Sequence, residues 1–204
     1  MPKLLLFFTV DFFMEIIGAV VSLLIGYFAF RGFRLIKDRI FLFLHFSFTL
    51  LGVGLLINGL ATRLFTIRPS RWALALSNFG YEVFFITELI AYGTLIFAYL
   101  LQNRDMALSN NYIAPIFVIQ YGYIPELIIF FLVTYITCQC AVNYSIRRNT
   151  NSLLVFIGFA LIAASHVLFP LFRHSGIFFL AAHVMQFVGF ISLLAMLLRV
   201  SIDK

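Results

Sequence analysis

The sequence predicts an all-α integral membrane helical bundle of about six transmembrane helices, and three observations carry that prediction. Of the 204 residues 63% are apolar and 11% charged, with a mean hydropathy of +1.07, whereas a soluble domain typically has ≈25% charged residues. The apolar residues gather in runs of roughly 20 or more, the length a helix needs to cross a bilayer. Runs such as LLFFTV, FLFLHF and ELIIFFLV do not alternate, which excludes the strands of a closed barrel. Six crossings consume roughly 120 residues. The chain 1–204 therefore reads as a single multi-pass transmembrane domain of the cell membrane, with no room for an appended soluble catalytic domain.

The first span falls at about 5–30. Lys3 followed by an apolar stretch is signal-like, but Asp11 and Glu15 interrupt it and apolar character continues to Phe30, which predicts a retained span. Gly18, Ser22 and Gly26 recur every four residues as a small face for close helix packing inside the bundle. A basic connector of Arg31, Arg34, Lys37 and Arg39 leads to a second span at about 40–62. Arg63, Arg68 and Arg71 precede the third, at about 76–101. The fourth, at about 113–143, contains Pro115 and Pro125, so a short or kinked piece at 113–123 is expected before the crossing proper from Pro125. Cys138 and Cys140, two apart on that helix, point to nearly opposite sides and cannot bridge. After Arg147 and Arg148 come spans five and six at about 152–171 and 176–199. Short connectors suit antiparallel neighbours in a bundle.

A shift of 111 residues places Glu15 on Glu126, Lys37 on Arg148 and Phe48 on Phe159. It suggests repeat halves 1–105 and 112–204, with Glu82 opposite His183 once a deletion is allowed. Three spans per half is an odd number, so the halves are expected to be inverted relative to each other.

The net charge of +6 does not imply nucleic acid, because the bases sit at the ends of apolar runs rather than on a soluble patch with interleaved aromatics. They read as headgroup anchors. The acids are more informative. Asp11, Glu15, Glu82, Glu88 and Glu126 lie in or at the margin of spans, and no Lys or Arg lies deep in one. An ionised carboxylate at the bilayer centre costs at least ~2.5–3.5 kcal/mol, so these groups must be neutral, hydrogen-bonded, hydrated or paired with a cation. Asp11, Glu15, Glu82 and Glu88 are accordingly candidates for an ion pathway, with Glu88 nearest the midplane.

Three histidines are also intramembrane. Counted from the span ends, His45, His166 and His183 lie at a common depth of roughly 8–10 Å, with Glu126 and Gln186 nearby and the acidic group on the opposite side. Two of the three imidazoles would suit a b-type haem, with Arg31, Arg34, Arg39 or Arg173 near its propionates. Glu126, His166 and His183 make a possible non-haem metal set. No HExxH, CxxCH or P-loop motif occurs, and no Ser or Cys is spaced beside a base, so enzymatic activity is not expected.

The hairpin GYFAFRGFRLIKDRIFLFLHFSFTLLGVGLLINGL resembles segments of uncharacterised prokaryotic, often archaeal, polytopic membrane proteins. It is distantly similar to the multi-helix sensory regions attached to some histidine kinases. That resemblance implies a membrane sensor that needs another membrane subunit, or a homodimer, for output. The sequence thus points to a non-enzymatic sensory or accessory subunit working through a polar intramembrane site. A haem- or metal-binding electron-transfer subunit and a small proton or cation transporter are the alternatives.

Overall fold

The computed structural model of the chain describes residues 2–68, 70–102, 124–173 and 176–202. They form six helices: α1 (Pro2–Ile36), α2 (Arg39–Ile67), α3 (Arg71–Gln102), α4 (Ile124–Arg147), α5 (Thr150–Leu168) and α6 (Gly176–Ile202). A single 3-10 turn, Phe169–Arg173, links α5 to α6, and there is no strand among the described residues. All six helices are long and apolar enough to cross a membrane. Their outer faces carry exposed Phe13, Ile17, Val20 and Leu24 on α1 and Phe46, Val53, Ile57 and Leu60 on α2. Continuous apolar surface of this kind suits lipid and not water. Trp72, at the start of α3, is almost fully exposed, as expected of an interfacial anchor.

Each helix packs against the next, and α6 closes back on α1, giving a ring. Small residues set the closest approaches. Gly26 of α1 faces Thr49 and the His45 carbonyl, Gly52 faces Leu23, and Gly80 of α3 faces Ala61. In the other half Gly158 and Gly189 bring α5 and α6 together, the Gly158 carbonyl lying 2.8 Å from where a Gly189 Cβ would stand. Buried Gly18, Ser22 and Gly26 are thus an internal packing face. Ser47 donates to the Ala91 carbonyl across α2–α3, and Ser192 to the Leu154 carbonyl across α5–α6. In the middle, Phe48 of α2 meets Phe159 of α5 and Phe190 of α6 at ring-centroid separations of 6.4 and 6.0 Å.

The directions of the helices correct one sequence-based expectation. Tyr99 hydrogen-bonds Cys140, while Glu88 shares His166 with Glu126, so α3 and α4 run parallel. Asp11 meets His183 and Gly18 meets Phe190, so α1 and α6 are also parallel. Helices α1, α3, α4 and α6 therefore point one way and α2 and α5 the other. The halves α1–α3 and α4–α6 share one orientation and are not inverted. The inversion was expected because every helix was assumed to reverse its predecessor. Instead α3 ends and α4 begins at opposite ends of the bundle, and the expected kinked piece at 113–123 lies outside the described residues.

Local detail repeats at the 111-residue shift. Lys37 and Arg148 both have positive φ (62° and 45°), and their amides close on the Phe33 and Tyr144 carbonyls. Asp38 and Asn149 then cap the amides of Ile40 and Ser152 at the next helix. For the third helices, Ala91 against Ser47 corresponds to Gly189 against Gly158, a shift of 98 residues. That register places Glu88 on Gln186, whereas Glu82 had been expected opposite His183.

Candidate functional site

A cavity of about 280 Å³ opens at one end of the bundle, between the halves. Asp11, Glu15, Asn58, Tyr81, Glu126, His166, His183 and Gln186 line it, together with Leu55, Phe84, Phe169, Pro170 and Phe179. Every helix contributes at least one of these side chains. Members of the two polar clusters expected on opposite sides of the membrane thus line one cavity. With α4 parallel to α3, the starts of α1, α4 and α6 and the end of α5 share one end, so Glu126, His166 and His183 join Asp11 and Glu15 there.

Asp11 and Glu15 lie one turn apart on α1 and so share a face. His183 Nε2 donates to Asp11 Oδ1 at 3.1 Å, and its ring stands edge-on to Phe179 and Phe169, with centroids at 4.5 and 5.0 Å. Glu15 is 6% exposed. The Asn58 amide donates to its Oε1, and its Oε2 has no hydrogen-bond partner among the described residues. Gly59 makes the space, since a Cβ there would stand 3.1 Å from Glu15 Oε2.

On the other wall, His166 of α5 lies between two carboxylates. Its Nδ1 donates to Glu126 Oε2 at 2.8 Å, and its Nε2 faces Glu88 Oε1 at 3.7 Å, too far for a hydrogen bond. Glu88 and His166 are each 3% exposed. A neutral imidazole has one donor and one acceptor. With Nδ1–H committed to Glu126, Nε2 presents a lone pair to Glu88 unless one more proton resides on the ring or on that carboxyl.

Beyond the cavity the bundle is apolar. Tyr92, Phe48, Phe159 and Phe190 are fully buried, and Tyr92 stands edge-on to His166 at 6.4 Å. A second, nearly apolar cavity of about 120 Å³ lies past this aromatic layer, lined by Phe159, Ile25, Leu44, Leu95, Tyr99 and Met196 among others. Cys140 is buried near it, bonded to Tyr99 at 3.1 Å, while Cys138 is exposed on the opposite face.

Two predicted site residues stand apart. His45 lies at the far end, its Nδ1 donating to the Gly26 carbonyl at 3.0 Å, which makes it a helix-packing group. Glu82 is exposed and does not line the cavity. The side chain of Arg173 lies outside those described. His166 and His183 share the cavity, but Phe169 packs against both rings, with centroids at 6.0 and 5.0 Å. Their nitrogens face carboxylates, so the pair does not fit the axial positions of a haem. Glu126 pairs with His166, while His183 pairs with Asp11. Among the described residues no group of three or more His, Cys, Asp or Glu is placed to hold a metal ion. Sequence reasoning missed Tyr81, Phe84, Phe169 and Phe179. Nothing separates these rings from lipid-facing ones in helices that are apolar all round.

Comparison with family models, with curated proteins and with solved structures finds no significant match.

Proposed function

We propose that the chain is a non-enzymatic carrier of small cations, with the cavity between the two three-helix halves as its binding site. The observation that carries this reading is the charge of that site. Asp11, Glu15, Glu88 and Glu126 gather around two histidines, and no Lys or Arg is among the described residues that line the cavity. Even with both imidazoles protonated, two carboxylates have no cationic counterpart among the described residues of the site. In a low-dielectric setting such an excess is offset by protons or by a bound cation.

The architecture supports movement of that cation. The closest glycine-mediated approaches lie within each half, so each half is a tightly packed unit. Between the halves lie a polar cavity at one end and an aromatic layer beneath it. Parallel repeats that rock about a midplane site are one established design for alternating access. Reconstituted vesicles test the reading. Cation influx above that of empty vesicles is expected, with a fall of at least about tenfold in Glu88→Gln. A wild-type protein that gives no flux for any small cation overturns it.

The closed aromatic layer also favours a second reading, in which the ligand biases the angle between the halves and a partner subunit reads it. Ligand binding without flux, together with a co-purifying membrane protein, would select this sensory or accessory role.

A further inference from the structure

If the cavity is the binding site, its chemistry also specifies the class of ligand. Glu15, one of the residues lining the cavity, is more than nine-tenths buried and its Oε2 has no hydrogen-bond partner among the described residues, while Asn58 holds the other oxygen in place. Asp11, one turn earlier, adds a second carboxylate on the same wall. An anion would meet no Lys or Arg among the described residues that line the cavity. A metal ion would find no set of three ligands among the described residues. A bare monovalent cation would leave most of the space empty, because the cavity is about 280 Å³, and a cavity of roughly 150 Å³ already holds benzene. The apolar part of the wall is Leu55, Phe84, Phe169, Pro170 and Phe179. A cavity that sets polar groups beside apolar ones fixes the orientation of an amphipathic small molecule.

We infer that the cavity takes a protonated organic amine with a compact apolar body, its ammonium on Glu15 and its body among Phe84, Phe169 and Phe179. An ammonium donates the hydrogen bonds that the free Glu15 oxygen lacks. One aromatic ring or a branched chain fills the remainder.

Calorimetry on the full chain in mild detergent tests this with phenethylammonium, the isosteric anion 3-phenylpropionate, neutral 2-phenylethanol, and Na⁺ and Zn²⁺ as chlorides. Phenethylammonium is expected to bind at least about tenfold more tightly than the anion or the alcohol, and to keep binding in excess Na⁺. Glu15→Gln is expected to abolish that preference, and Glu82→Gln, outside the cavity, to leave it unchanged. Should Glu15→Gln fail to fold, Phe179→Ala serves instead, weakening phenethylammonium but not methylammonium. Equal binding of the anion, or displacement of the amine by stoichiometric Zn²⁺, overturns the inference. Amine binding without flux would remove the carrier reading and leave the ligand class standing. Sodium flux without amine binding would do the reverse.

Discussion

Asn58 has an effect larger than its size suggests. Among the described residues it supplies the only hydrogen bond to the largely buried Glu15 carboxyl, and a buried acceptor that loses its partner costs about 1–3 kcal/mol. Asn58→Ala is therefore expected to lower stability by about that amount in a thermal unfolding series in detergent. Glu15→Gln combined with Asn58→Ala should cost less than the two single changes added together, because the cycle removes a shared interaction. At this scale the sequence was partly legible. Acids and histidines inside apolar spans are costly, and Asp11, Glu15, Glu126, His166 and His183 all line the cavity, with Glu88 behind His166. His45 was not separable from the other two histidines by depth, because its partner is a backbone carbonyl that no sequence pattern marks.

The glycines and connectors govern how the helices meet. A methyl on Gly80 would stand 2.7 Å from Ala61 Cβ, and one on Gly189 2.8 Å from the Gly158 carbonyl, with no flexible side-chain end to yield in either case. Gly80→Ala and Gly189→Ala are each expected to destabilise by about 1–3 kcal/mol through forced separation of the helices. Gly93→Ala, with nothing within 4 Å of the new methyl, serves as the neutral control. Relief is expected at Lys37 and Arg148, whose left-handed backbones cost a side-chain-bearing residue roughly 1–2 kcal/mol each. Lys37→Gly and Arg148→Gly should raise the unfolding midpoint, by similar increments in the two halves. The helices themselves were legible to within about two turns at their described ends; the span read at about 40–62 is Arg39–Ile67. Their directions were not, because apolarity and length carry no sign and one parallel pair, α3 and α4, reverses the side on which every later group lies.

For the whole molecule, that reversal also changes the reading of its charge. Arg31, Arg34, Lys37, Arg39, Arg147, Arg148 and Arg199 now share the end opposite the cavity, whereas strict alternation divided them between both sides. The bias of Lys and Arg towards the cytoplasm then predicts a cavity that opens away from it. In a Cys138→Ala, Cys140→Ala background, Arg68→Cys at the cavity end should react with an impermeant maleimide in intact cells, and Thr150→Cys only after permeabilisation. The opposite pattern would reverse the orientation. The paired turns at Lys37–Asp38 and Arg148–Asn149 have a consequence for insertion as well. Two halves that insert in the same direction need only one kind of topogenic signal, and basic turns on the same side of both halves supply it.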